Sequence, residues 1–373
     1  MTETIVSLYD LAITDDQQAM TLALQQAELG MFTTTPNPRV GCVLVKQGRI
    51  IGAGYTQPPG GNHAEIQAMQ DAHARGHDPR GATAYVTLEP CSHFGRTPPC
   101  CDALIKAGVA KVVTAMTDPN PLVAGQGLQK LQAAGIDVIA GILQEPAHEM
   151  NIGFFKRMQH GLPWVRLKSA ASLDGKTALH NGQSQWITGP AARDDGHWWR
   201  ARACAVLTGI GTVKDDDPQL NVRAVDTVRQ PRRIVVDSQL RILPTAKILA
   251  GGGTWVFTAS QDDNKIAALQ ERGADVIVLP NVDNKVDLPA VIAELGRRQL
   301  NEVHIEAGSK LSGALIRAGC VDELLLYLAP NLLGDGRGMF DLPALTDLSG
   351  KYQLRLREVK QIGEDLRILA RFH

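Results

Sequence analysis

"NHAEIQAM", residues 62–69, sets a histidine and a glutamate two apart at what reads as the start of a helix. On an ideal helix, at about 100° per residue, His63 and Glu65 point about 200° apart and cannot share one side. Either the pair is incidental surface polarity, or both side chains serve a site lying off the helix end. Cys91 follows Glu65 by 26 residues, inside the segment "EPCSHFGRTPPC" (89–100), which runs into a second predicted helix. Pro98 and Pro99 suit a first helical turn, where proline forfeits no hydrogen bond. A helix N-terminus also favours the thiolate form that a metal requires.

One histidine and two cysteines match a catalytic zinc that keeps its fourth position open, so His63, Cys91 and Cys100 are the expected ligands. With two helix starts aimed at one metal, Glu65 reaches the open position while His63 binds. Water on such a zinc loses a proton far more readily than bulk water, and Glu65 passes that proton to a leaving amine. The expected reaction is hydrolytic deamination of an amino-substituted ring. Zinc deaminases share an H-x-E with P-C-x-x-C signature, and this chain departs from it, since eight residues separate its cysteines. His93 and Cys101 therefore stay open as ligands. Cys101 projects about 100° from Cys100, which favours packing; His93, with Arg96, is better suited to substrate.

The chain has 373 residues, past the size at which one hydrophobic core stops growing, so two domains are expected. A net charge of −1 gives no support to a nucleic-acid binder relying on a basic surface. No apolar stretch approaches a membrane span and no secretory leader is read. Six cysteines, three of them within eleven residues, suggest a metal rather than disulfides. The expected compartment is the cytoplasm.

The chain reads as α/β. Thr14 to Gly30 looks like a helix, with Thr14 and Gln17 at capping-box spacing. Two β-rich runs (40–46, 49–55) meet at Gln47-Gly48 like a hairpin. Helices near 63–75, 99–107 and 125–134 then alternate with strands at 83–88, 111–116 and 136–140. A helix over 143–160 ends in "HGLPW", suited to a domain boundary. The expected division is an extension, 1–14, whose role is open, a deaminase domain, 15–160, and a second domain, 161–373. There the alternation resumes and closes on late strands, "ELLLYLAP" and "YQLRLREVKQIGEDLRILARF".

"PNPRVG", "HAE" and "EPCSHFGRTPPC", in this order, resemble the deaminase domain of the bifunctional riboflavin-biosynthesis deaminase/reductase family. The long cysteine loop marks that branch. "LKSAASLDGKTA", "SQWITG", "GIGTVKDDDPQLNVR" and "IEAGSKLSGALI" independently resemble the reductase domain of the same family. The likeness covers about 15–373. It implies a three-layer cytidine-deaminase-like domain followed by a dihydrofolate-reductase-like domain. The implied substrate is a diaminopyrimidinone carrying a ribosylamino 5′-phosphate. It loses its 2-amino group, and then its ribosyl C1′ takes hydride from NADPH. Asn37, His93 and Arg96 are the implied contacts of the deaminase substrate. Ala170, Trp186, Thr212, Asp216, Ser238 and the turn Gly308, Ser309, Lys310, Leu311, Ser312 and Gly313 are implied for NADP. Ser184, Arg200, Leu220, Arg223 and Glu306 are implied on the substrate side, and pairing into a dimer is expected.

Read from its residues alone, the second half says less. "EAG" (306–308) enters a turn whose free N–H groups suit a phosphate. "GIGTV" (209–213) begins like a dinucleotide fingerprint, but Lys214 stands where the last glycine belongs. Arg200 and Arg223 offer bidentate donors to a phosphate. Lys168 is a candidate near the transferred hydride, or a plain strand lysine. Ser238 beside Arg241 is compatible with a 2′-phosphate. Two other functions compete. A nucleic-acid deaminase uses the same zinc chemistry on a flipped base; a structural zinc module requires a fourth protein ligand.

Overall fold

The computed structural model describes residues 7–94, 98–120 and 124–373. The chain divides into two compact units between His160 and Gly161.

In the first unit α1 (Asp16–Leu29) precedes the hairpin β1 (Gly41–Lys46) and β2 (Arg49–Tyr55). Then come α2 (Ala64–Ala74), β3 (Thr83–Val86), α3 (Cys100–Ala107), β4 (Lys111–Thr114), α4 (Gln126–Ala133), β5 (Asp137–Ala140), α5 (Gln144–Met150) and α6 (Ile152–His160). The sheet order is β2-β1-β3-β4-β5, antiparallel across β1 and parallel from β3 onward. Gln47 and Gly48 both take positive φ, as the tightest hairpin turn requires.

Helices cover both faces of this sheet. Gly41 faces α1, and on the opposite face Gly52 meets α2 so closely that a Cβ there would lie 2.2 Å from the Ala68 carbonyl oxygen. That approach seats α2, and with it His63, against the sheet. Two boundaries differ from the sequence reading. The N-terminus of α1 is capped by Asp15, which accepts from Gln18 N, while Gln18 Oε1 takes Thr14 N. The reciprocal pattern thus lies one residue later than Thr14/Gln17. The expected helix 143–160 breaks at Asn151, whose side chain accepts from Arg39 N (2.7 Å) and donates to Arg39 O (2.8 Å). A side chain that satisfies another segment's backbone in this way pins its own backbone outside the helix.

The second unit runs β6 (Trp164–Ser172), β7 (Lys176–Ala178), α7 (Pro190–Arg202), β8 (Ala205–Gly209), α8 (Ile210–Asp216), β9 (Arg232–Val236), β10 (Trp255–Thr258), α9 (Asp263–Gln270), β11 (Asp275–Val278) and α10 (Leu288–Arg297). It continues with β12 (Glu302–Glu306), α11 (Ser309–Arg317), β13 (Glu323–Ala329), β14 (Arg337–Gly338), β15 (Leu354–Ile362) and β16 (Asp365–Phe372). Nine strands form one sheet, in the order β11-β10-β9-β8-β12-β6-β13-β16-β15. The first seven in that order are parallel, and the C-terminal hairpin extends them antiparallel. Helices α8 and α10 were not read as helices from the sequence. The short β7 and β14 pair separately.

One face of the large sheet is apolar, with Val165, Leu167, Leu207, Val303 and Ile305 packed against Val291, Leu295 and Leu315. The other face, under α7, carries buried charge. Arg166 pairs with Glu302 (3.2 Å) and Glu323 (2.6 Å); Arg202 joins Glu302 and Arg371 joins Glu323. The ladder ties β6, β12, β13, β16 and α7 together. Removing one member of such a set strands the others without water. We therefore expect Arg166→Ala to cost about 3–5 kcal/mol in chemical denaturation of the second unit, against less than about 1 kcal/mol for alanine at the exposed pair partner Lys265.

Candidate active sites

His63 stands at the N-cap of α2 with its side chain turned away from the helix's own N–H groups, and Cys100 opens α3 after Pro99. The two helices thus bring their first turns to one point. His63 Nδ1 lies 3.6 Å from Cys91 Sγ and 3.3 Å from Cys100 Sγ. A tetrahedral zinc with ordinary Zn–N and Zn–S bonds separates such atoms by about 3.5 Å, so the donor set fits the metal. Among the described residues these three alone form such a group. Cys101 points elsewhere, its Sγ donating to Pro90 O (3.1 Å), with burial pushing its thiol up to about 12. His93 is exposed, and Arg96 lies outside the described residues.

The electrostatics ask for a cation. A hydrogen bond from the Cys100 thiol, then the His63 ring and, at 3.3 Å, the Cys100 backbone N–H hold the Cys91 thiol well below its usual range against its burial. Cys100, facing that thiolate, is pushed far up, so the pair keeps one proton until a metal displaces it. Glu65 is 3% exposed, and burial followed by the Cys91 charge pushes its carboxyl up to about 7. The helix end therefore presents three ligand atoms and a buried carboxyl together.

A residue not singled out from the sequence frames this site. Glu89, buried two residues before Cys91, accepts backbone N–H groups from Asp118 (3.0 Å), Gly125 (2.9 Å) and Gly127 (2.8 Å). Its carboxylate fixes the cysteine loop to the start of α4. The only trace in the sequence is an acidic residue directly before Pro-Cys. Asn37 sits half-buried in the turn before β1, its N–H on Thr34 O.

In the second unit, adjacent strands β8 and β12 both run straight into helices, α8 and α11, whose N-caps Gly209 and Gly308 bear no side-chain cap. Thr212 lies 4.0 Å from where a Gly308 side chain would start. Within the implied NADP turn, Gly308, Ser309, Lys310 and Leu311 form this edge, but Ser312 and Gly313 turn inward. Ser312 is 2% exposed, and a Cβ on Gly313 would lie 2.2 Å from Asp341 O. Ser238 Oγ accepts Val286 N, Asp216 is exposed at the end of α8, and Ala170 lies on β6. Trp186 is 70% exposed, and Arg193 stacks on it.

Glu306 and Lys168 are register partners on β12 and β6. Arg200 grips Glu306 with two donors, Nε to Oε1 and Nη2 to Oε2 (2.8 Å), and sends Nη1 to Asn221 O. Burial opposes the Glu306 charge, yet Arg200, helped by Lys168, holds its carboxyl well below the usual range. Burial lowers Lys168 against the pull of Glu306. Arg200, implied as a phosphate ligand, is thus engaged with Glu306, whereas Arg223 is exposed beside Asn221. Leu220 is 3% exposed in the core with a φ of 50°, so only its backbone can meet a substrate. Ser184 is half-buried in the loop before α7.

These features define a two-domain enzyme, a zinc-binding deaminase followed by a reductase. Residues 13–116 match the cytidine and deoxycytidylate deaminase zinc-binding region, and residues 163–368 match the RibD C-terminal domain. The chain is 48% identical to riboflavin biosynthesis protein RibD of Escherichia coli K12, over 94% of this chain and 98% of that one. It is 40% identical to the Bacillus amyloliquefaciens RibD, over 95% and 96%. A solved structure of Acinetobacter baumannii RibD superposes with TM-score 0.86 at 42% identity, covering 96% of this chain and 99% of that one. The Thermotoga maritima diaminohydroxyphosphoribosylaminopyrimidine deaminase/5-amino-6-(5-phosphoribosylamino)uracil reductase does so with TM-score 0.84 at 32% identity, with the same coverage. The chain belongs to the RibD family, the bifunctional deaminase/reductases of riboflavin biosynthesis.

Metal analysis checks the ligand geometry: Cys100→Ser should lose most of its zinc, while Cys101→Ser should keep the wild-type content. The reverse result would move the ligand to Cys101.

Proposed function

We propose that the first domain deaminates the diaminopyrimidinone ribosylamino 5′-phosphate and the second reduces its ribosyl group with NADPH. The observation that carries the first half is the meeting of His63 Nδ1, Cys91 Sγ and Cys100 Sγ beside the buried Glu65 carboxyl. His63, Cys91 and Cys100 would hold zinc, which when bound makes water acidic enough to attack at neutral pH. Glu65 takes a proton from the attacking water and delivers it to the departing amine nitrogen, so that ring carbon exchanges amine for oxygen and ammonia leaves. Asn37, His93 and Arg96 are read as substrate contacts, Arg96 meeting the phosphate.

In the second domain, the open turn at Gly308–Leu311 with Thr212 is read as the cradle for a cofactor phosphate. Ala170, Trp186, Asp216 and Ser238 complete the reading, with Ser238 beside Arg241 compatible with the 2′-phosphate of NADPH. Lys168 and Glu306, register partners on β6 and β12, are read as the residues that hold and protonate the ribose as hydride reaches C1′. Arg223 is the freer phosphate ligand, and Arg200 enters the site through Glu306. The domain limits 15–160 and 161–373 belong to the same reading.

A small-molecule substrate is in keeping with the family, and no helix among the described residues is long and apolar enough to cross a membrane. Six cysteines outside any disulfide, two of them read as zinc ligands, are in keeping with a cytoplasmic placement. Pairing of two chains is supported by the edge strand β15, where Leu356 and Val359 are 63% and 55% exposed.

Glu65→Gln tests the assignment. It should retain zinc, lose about 10²-fold or more in ammonia release, and reduce the deaminated intermediate at the wild-type rate. Undiminished ammonia release would remove Glu65 from the chemistry.

A further inference from the structure

Beneath the reductase site one polar side chain has no assigned work. His304, in the middle of β12, is 0% exposed, and neither ring nitrogen makes a hydrogen bond with any described residue. A neutral imidazole carries one donor and one acceptor, and burying both unmet is unfavourable. The position would hold an apolar residue at no such penalty.

The groups around it narrow what it can serve. On its own strand face lie Glu302 and Glu306, two residues to either side. From β6 it faces Arg166 in register, with Lys168 two residues on. Across β6, β13 contributes Glu323 and Tyr327; α7, packed on β12, contributes Arg200. Arg166 is committed to Glu302 and Glu323 and stacks 4.3 Å from the Trp199 ring. Tyr327 donates to Asp195 (2.5 Å). What remains is Glu306, whose Oε1 lies 3.4 Å from His304 Nε2, misaligned for a hydrogen bond while Arg200 grips both carboxylate oxygens.

We propose that His304 is a positioning residue of the reductase site. Its Nε2–H catches Glu306 Oε1 when substrate draws the carboxylate out of its two-pronged pairing with Arg200, and holds it ionised and aimed at the ribose. Burial, reinforced by Arg166 and Arg200 against the pull of Glu306, keeps the imidazole neutral. A neutral donor steadies the carboxylate without replacing Arg200 as its counter-ion. The inference rests on Glu306 being a working residue of the reductase.

The test is reductase kinetics on the deaminated intermediate with His304→Gln and His304→Asn, both polar and smaller than or close to histidine. The Gln amide reaches the Nε2 position, whereas the Asn amide stops at that of Nδ1. His304→Asn should lose about tenfold to a hundredfold in kcat, as small misplacements of a working group do, with KM for NADPH unchanged. Without its donor the carboxylate is easier to protonate, so the acidic limb of kcat should move to higher pH. His304→Gln should restore most of the rate and return the limb. Equal behaviour of the two variants, impaired or wild-type, would overturn the proposal. Glu306→Gln is the control: if it reduces substrate normally, the reading of Glu306 fails instead.

Discussion

Both sites depend on helix N-termini that are left uncapped. The first turn of any helix exposes N–H groups that need acceptors. At three helices remote from both sites an aspartate supplies one: Asp15 for α1, Asp262 for α9 and Asp287 for α10. At α2, α3, α8 and α11 the N-cap residue's own side chain does not do so. In the deaminase half the open end of α3 gives its first N–H to Cys91 Sγ, which favours thiolate and hence metal. In the reductase half the open ends of α8 and α11 stand side by side because β8 and β12 are neighbours in a parallel sheet. Strand order thus decides where these two helix N-termini come together.

The second constraint is charge buried on one face of the large sheet. Arg166, Glu302, Glu323 and Arg371 satisfy one another under α7, and farther along the same face Arg200 and Lys168 surround Glu306. Such a face contributes less stability than an apolar one of equal volume. Its use is positional. Strands carrying these groups cannot slip in register without leaving a buried charge alone, so Lys168 and Glu306 stay opposite each other.

The sequence made the deaminase centre legible because its chemistry is local. His63, Glu65 and Cys100 stand at helix starts that proline and spacing announce, with Cys91 in the loop before the second, and both helices form where expected. The supports of that centre were not legible. Glu89 acts on backbone groups 29 to 38 residues away, and nothing in its own neighbourhood reveals a buried carboxylate. The same holds in the second half. Arg166, His304 and Glu323 read as ordinary polar positions in strands, and only the order of β12, β6 and β13 turns them into one cluster. Leu220, Ser312 and Gly313 came with a family motif, but their side chains or Cβ positions serve packing. A motif marks a segment near a site without saying which of its atoms face it. The break at Asn151 was hidden too, since it depends on Arg39 from the other end of the domain.

Deaminase and reductase on one chain make sense if the second acts on what the first releases. That ordering is most directly tested by giving the intact enzyme the diaminopyrimidinone ribotide and NADPH and recording ammonia release and NADPH oxidation on the same time base. The account predicts that ammonia appears first and NADPH loss follows, one equivalent for each ammonia. NADPH oxidation that precedes or proceeds without ammonia would contradict it.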